Sequence, residues 1–573
     1  MRQPHSELAT STSDAAASIG PSAEPPEADS GTPSPRAVVA RRVLRGAVLL
    51  GILADPLLRN EPWGLGLLVW MAAFAALAVG LARQGGRPFS RESGVWLGVA
   101  VLFAAGLSWR DAGMLHAFDV LAMLAALVLL AMSIAARPVP GLAPARVRDL
   151  IRAAFGTGLD VATGVVPLAI RDAELHTALR PSSDGRVRRV GRALLITAPI
   201  LLVFTLLLTR ADPVFGSFFT FPDVEVDVLL SHVVIAGFFA WVTAGWLRRS
   251  LLAHSGVGGE AGTPAAPFPL TLGATDVAIA LGALNLLFSA FVIVQIGWLF
   301  GGEALVLRTT GLSYAEYARR GFFELTVVAG LLLPVLLAAQ ALIPDSDFRT
   351  LRIFRRLAAP LVLLLGAMML SAGARMRLYV EYYGISVDRL YATAFMLWLA
   401  TVFVWLAVTV LRSRPRAFAT GLVVSGFAVL FTLNVLNPDA LVARANLARG
   451  ESVVRTGAAG ADLRYVARLG GDAVPVLVSA LTAPNVDVDA APAAERCAAA
   501  NILLERWTGE RRARMARSWT QWNLARFRAA RAVRAHEAEL RQLACPASTS
   551  TGRAPDPAPA LPPRSAGPPE ATP

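Results

Sequence analysis

Residues Met114–Ile134 read MLHAFDVLAMLAALVLLAMSI. At 1.5 Å of rise per residue, a helix of this length is about 30 Å long, which matches the hydrocarbon layer of a bilayer. Arg110 precedes the run and Arg137 follows it, so full charges flank the apolar stretch. This pattern predicts a membrane-spanning helix.

Outward from this run the pattern recurs. Eleven spans are expected: Val43–Leu58, Trp63–Leu81, Val95–Leu107, Met114–Ile134, Ala193–Leu208, Val226–Leu247, Val277–Phe300, Phe322–Ile343, Leu357–Ala374, Tyr391–Leu411 and Ala417–Leu433. The chain is 55% hydrophobic and only 17% charged, with a mean hydropathy of +0.53. Soluble domains carry about 25% charged residues. The expected fold class is all-α: a polytopic transmembrane helix bundle with a small helical extracytoplasmic C-terminal domain. Residues 1–35 are expected to form a Ser-, Pro- and Glu-rich disordered N-terminal tail, and 36–436 the transmembrane domain. Residues 437–545 are expected to form the small helical domain, and 546–573 a Pro- and Ala-rich disordered tail.

The basic residues fix the orientation. All 54 are Arg, with no Lys. With the N-terminus inside, the inner segments and inner span ends carry 26 Arg and the outer ones 9. Cytoplasmic loops carry the excess of positive charge. An odd number of spans then places the C-terminal domain outside. The expected location is the inner (cytoplasmic) membrane of a bacterial cell envelope, N-terminus cytoplasmic and C-terminus extracytoplasmic. The net charge of +13 is a topology signal, so the lipid bilayer is the expected partner and nucleic acid is not. An extracytoplasmic protein or lipid is the candidate second partner.

Several chemistries are excluded or left without support. A P-loop and a Schiff base both need a Lys. The two cysteines, Cys497 and Cys545, form no CxxC or CxxH pairing, and the six His have no metal-ligand spacing. No cofactor and no metal site are expected. An outward C-terminal domain puts both cysteines in an oxidising space. Cys497 also reads as a buried apolar-face residue, and this reading is the weightier of the two.

Four soluble stretches read as helical. In the long inner loop, Val147, Leu150, Ile151, Ala154 and Phe155 recur at helical spacing beside Arg146, Arg148 and Arg152. That suits either a headgroup-layer helix or a packed cytoplasmic one. In the C-terminal domain, Asp472 is placed to cap a helix whose apolar face is Val474, Leu477, Val478 and Leu481. A second helix holds Cys497, Ala500, Leu504 and Trp507, and a long third one runs around Arg511–Leu543.

Two outer segments carry concentrated polarity. In Gly311–Leu325, helical spacing aligns Glu316, Arg320 and Glu324 as one stripe, with Arg319 alongside. In Arg375–Gly384, Arg377 faces Glu381, and Arg375 faces Tyr379, at i, i+4. Gly384 suits a helix stop, and Ser386 with Asp388 suits the next helix start. Glu324 begins an apolar run, where a carboxylate needs a partner or water. The expected candidate cluster is therefore Glu316, Arg319, Arg320, Glu324, Arg375, Arg377, Tyr379 and Glu381. Read as plain interfacial anchors, Tyr and Arg at headgroup depth need no function, and that reading carries the greater weight. Asp55, Arg110, Asp111, Arg210 and Asp212 also fall at outer span ends.

The run Gly311–Leu325 resembles a signature of a bacterial membrane family, domain of unknown function 4173, related to 4153. The likeness extends to Arg375–Gly384 with Asp388-Arg389-Leu390-Tyr391, to Asn437-Pro438-Asp439 and to Trp522-Asn523-Leu524. It covers about Val43 to Arg531 and implies a polytopic membrane protein, with no activity or catalytic residue to carry over. Three functions are expected in order. An envelope sensor or scaffold comes first. Next is a transporter or channel using Asp55, Asn285, Gln295 and Glu324, and last an enzyme on a lipid-linked substrate using Glu316 or Glu324. Whether the chain is an enzyme stays open.

Overall fold

The computed structural model describes residues 34–85, 89–134, 147–173, 226–252, 271–310, 314–344, 346–412, 414–454, 462–483, 493–509 and 518–545, with isolated positions between. Among them every regular element is helical.

The first helix shows how local sequence sets each element. Ser34 caps α1 (Pro35–Leu58): its Oγ accepts from Ala37 N at 3.2 Å, and Pro35 occupies the first turn. Ala40, Val43, Ala47, Leu50, Ala54 and Leu57 recur every three or four residues and are buried. There follow α2 (Leu65–Gln84), α3 (Arg91–Trp109), α4 (Gly113–Ile134) and α5 (Val147–Thr163), which bends by 54° into Val165–Asp172. After α6 (Val226–Leu251) come α7 (Ala274–Thr310), α8 (Tyr314–Leu342), α9 (Phe348–Tyr383), α10 (Val387–Thr409) and α11 (Pro415–Leu436). Nine of the described helices are long and apolar enough to cross a membrane. Ten of the eleven predicted spans thus fall on described helices. The predicted span Ala193–Leu208 lies outside the described residues save for the isolated positions Thr197, Leu201 and Leu208. The nine omit α1, whose length includes Arg36, Arg41, Arg42, Arg45 and Asp55.

The spans pack around two apolar cores. The first joins α1 to α6 through Trp70, Met71, Phe74, Phe103, Trp246 and Leu247, with Phe74 edge-on to Trp246 at 4.9 Å. Close approach of α1 and α6 requires Gly51, where a Cβ would meet Ala236 O and the Ala240 side chain. The second core joins α7 to α11 through Phe288, Phe322, Phe354, Met368, Phe403 and Phe418. Leu49, Leu286, Ile293, Leu363 and Leu370 point outward and are exposed, a surface for which lipid tails are the natural solvent.

Ion pairs mark the two ends of the bundle. Where α1 begins, Arg36 and Arg248 both bind Asp172, each at 2.7 Å, and Arg42 donates to Gln84 at 3.0 Å. We call this the Arg36 face. Where α1 ends, Arg59 pairs with Asp55, and His232 with the same carboxylate. The chain therefore leaves Asp172 at the Arg36 face and resumes in α6 at the opposite face. The amphipathic stretch forms α5, whose Ile151 and Phe155 stay exposed while Asp160 pairs with Arg249 at 2.9 Å.

At the face opposite Arg36 sits the C-terminal domain: α12 (Pro438–Val454), α13 (Leu463–Arg468), α14 (Val474–Thr482), α15 (Ala493–Thr508), α16 (Leu524–Ala535) and α17 (Glu537–Leu543). Val442, Leu463, Val466, Leu477, Leu503, Trp507, Val533 and Leu540 fill its core. Three expectations are corrected here. The long third helix is broken, because Asn523 turns extended and caps α16, its Oδ1 accepting from Arg526 N at 3.0 Å. Asp472 does not cap α14, since its oxygens are engaged elsewhere. Cys497 and Cys545 are joined by a disulfide, with Cα atoms 5.2 Å apart. Cys497 is indeed buried on the apolar face of α15, and the chain after α17 returns to it.

Candidate functional site

The chain turns from α3 to α4 through Arg110-Asp111-Ala112, and this turn is the centre of a buried polar network. The last carbonyls of a helix lack intrahelical partners and carry partial negative charge. Arg110 meets those of α11: Nε donates to Asn434 O at 2.7 Å and Nη2 to Val435 O at 3.4 Å. Its Nη1 donates to Asp472 Oδ1 at 3.2 Å. Asn437 ends α11 in the left-handed conformation (φ 56°), and its Nδ2 donates to the same oxygen at 2.9 Å.

Asp111 completes the network. Its backbone N–H donates to Asp472 Oδ2 at 2.8 Å. Its Oδ1 accepts from Arg526 Nε at 2.8 Å and its Oδ2 from Gly471 N at 3.0 Å. Arg526 also donates to the carbonyls of Pro62, Trp63 and Gln521. All four carboxylate oxygens of Asp111 and Asp472 are used. The approach is so close that a Cβ at Gly470 would overlap Asp111 O, so residue 470 has room only for hydrogen.

Three more junctions join in. Asn523 Nδ2 donates to Leu107 O at 2.8 Å and to Arg110 O. At the start of α2, Leu65 N donates to Trp522 O at 2.9 Å. At the turn between α9 and α10, Ile385 and Asn446 exchange two hydrogen bonds, and Val387 N donates to Tyr465 OH at 2.9 Å. The domain is thereby fixed to the span ends at the starts of α2, α4 and α10 and at the end of α11. We call the whole the latch.

Burial acts on its acids. Burial pushes the Asp439 carboxyl up to about 6, helped by Asp472 and Asp111; the hydrogen bond from Gly470 N and the charge of Arg506 oppose it. Burial likewise raises Asp472, against the hydrogen bond from Asp111 N and the charge of Arg110. A carboxyl raised in the folded state binds its proton more tightly there than in the unfolded chain. Its stabilising contribution is complete below the unfolded value and is lost as pH rises through about 6. We expect the thermal midpoint to fall across that window, and Asp439→Asn to flatten the fall. An unchanged slope in that variant, measured by calorimetry, would refute the assignment.

The polar segments of the sequence reading are only partly visible. The side chains of Glu316, Arg319, Arg320 and Glu381 lie outside the described residues, although their backbones are helical in α8 and α9. Glu324 is exposed on α8, and Arg377 is exposed on α9. Arg375 Nη2 donates to Gln295 Oε1 at 3.0 Å, an oxygen that also accepts from Ser371. Tyr379 lies under the Arg389 guanidinium at 4.0 Å. Gly384 does end α9 (φ 76°) and Ser386 caps α10. Sequence reasoning noted Arg110, Asp111, Asp439 and Asp472 singly but missed Arg526, Asn434 and Asp119. Asp119 stood in plain view as the one carboxylate within Met114–Ile134.

Residues 97–480 match the family model described as Domain of unknown function (DUF4153). The chain belongs to this family. The DUF4153 region includes Arg110, Asp111, Asp119, Asn434, Asp439 and Asp472 and ends before Asn523 and Arg526, so the latch reaches beyond it. The match is to 4153; the motif likeness to 4173 is not shown by it. No curated protein and no solved structure matches the chain.

Proposed function

We infer that this DUF4153 protein is an envelope scaffold or sensor that presents its C-terminal domain on the outer side of the cytoplasmic membrane. The observation that carries the reading is the latch. A buried ion pair adds little net stability, but breaking one side of it is costly, and here such pairs tie a soluble domain to the span ends. Two features support an outward domain: the 26-to-9 Arg bias and the Cys497–Cys545 disulfide, a bond that is rare in the cytosol. Its partner is then an extracytoplasmic protein or a lipid. The cluster of Glu316, Arg319, Arg320, Glu324, Arg375, Arg377, Tyr379 and Glu381 is proposed as a second outer-face polar patch beside α7, supported by the Arg375–Gln295 contact.

The transport reading is weakened by the intramembrane polar groups. Asn285 Nδ2 donates to Leu357 O at 2.9 Å, and Gln295 binds Ser371 and Arg375, so both join α7 to α9 as helix glue.

A chain ending at Leu436 tests the proposal. We expect it to reproduce the envelope defects of a full deletion, and reporter fusions after Leu543 to be active only outside the cytoplasm. Wild-type envelopes with the truncated chain, or a cytoplasmic reporter signal, would overturn the proposal.

A further inference from the structure

Asp119 lies inside α4 and is 0% exposed; Asn434 on α11 is 4% exposed. Asn434 Nδ2 donates to Asp119 Oδ1 at 2.7 Å. The second carboxylate oxygen, Asp119 Oδ2, and the amide oxygen, Asn434 Oδ1, are buried without a hydrogen-bond partner. Both approach Gly106 of α3. A Cβ there would lie 2.7 Å from Asp119 Oδ2 and 3.1 Å from Asn434 Oδ1. Two acceptors therefore share one small patch, and the chain leaves room for it by placing hydrogen at residue 106.

Two acceptors cannot satisfy one another, and a carboxylate at this depth without a cation is costly. The charged and titratable groups around it are committed elsewhere. Arg110, past the end of α3, binds Asn434 O, Val435 O and Asp472. His116, one turn along α4, binds Arg110 O. On α5 and α6, which also pack against α4, Asp160 pairs with Arg249 and Arg248 with Asp172 toward the Arg36 face, and His232 pairs with Asp55. Tyr391 of α10 is buried, and its hydroxyl makes no hydrogen bond. Among the described residues no ion pair reaches Asp119.

A protonated carboxyl is a donor as well as an acceptor. We propose that Asp119 is a one-proton binding site, held as the neutral acid. Its Oδ2–H donates to Asn434 Oδ1 while Asn434 Nδ2 donates to Asp119 Oδ1, closing a ring of two hydrogen bonds. The proton satisfies both orphan oxygens at once. The site lies directly beneath the latch, because the residue that closes the ring offers its backbone carbonyl to Arg110.

Infrared spectroscopy of the full chain in nanodiscs tests this. At neutral pH we expect a protonated-carboxyl C=O band that is lost in Asp119→Asn and moves to higher frequency in Asn434→Leu, where its hydrogen bonds are gone. Asp119→Asn keeps the ring with an amide in place of the acid, so its thermal midpoint stays near wild type while that of Asp119→Leu falls. Absence of the band, or a band unmoved by both variants, overturns the proposal. So does an Asp119→Asn protein that fails to accumulate or melts as low as Asp119→Leu, since an ionised Asp119 would demand its charge.

Discussion

Arg526→Ala releases the C-terminal domain from the span ends and weakens the docked state by about 3–5 kcal/mol, the usual cost of breaking one side of a buried ion pair. Arg526 and Asp111 are 7% and 16% exposed at their side chains, so water does little to screen the loss. The substitution strands Asp111 Oδ1 and also removes the donor that Pro62, Trp63 and Gln521 share. Arg526→Lys recovers little, because an ammonium cannot reproduce the planar fork. Limited proteolysis of the domain and denaturant unfolding read the effect. Asp111→Ala combined with Arg526→Ala should cost less than the two singles summed, because the second change strands nothing further. Strict additivity would show that the pair does not act as a unit.

Loss of the Cys497–Cys545 disulfide has a comparable effect. The bond closes a loop with a sequence separation of 48, and the chain-entropy relation assigns a loop of that size about 4 kcal/mol. Cys497→Ser with Cys545→Ser lowers the unfolding midpoint of the domain, and a reducing agent does the same to the wild type but not to the double variant. Thiol labelling that is equal before and after reduction of freshly isolated membranes would show that the bond does not form in the cell.

The bundle was legible because its signal is local. A run such as Met114–Ile134 carries its length, its apolarity and its flanking Arg within one stretch, and Gly384 and Ser386 announce their turn through local preference alone, Gly384 by its backbone freedom and Ser386 by its capping hydroxyl. The latch was not legible, because its partners are distant in sequence. Asp472 stands one residue before Ala473, the N-cap of α14, and reads as its cap. Only the fold brings Arg110 and Asp111 to it, more than 300 residues away by number. Asp119 was passed over for a different reason: one acid in a run of 21 mostly apolar residues barely alters their average. The broken helix near Trp522 was missed because Arg-rich sequence has high helix propensity, while Asn523 makes tertiary bonds to Leu107 and Arg110 that override it.

The two apolar cores share few side chains, yet the C-terminal domain bonds to the turns of both: Arg110 and Leu65 on the side of α1 to α6, Ile385 and Asn437 on the side of α7 to α11. The domain is thus a clasp across a seam. Any rocking of one half of the bundle against the other must first open the clasp, and anything that grips the clasp from outside stiffens the seam within the membrane.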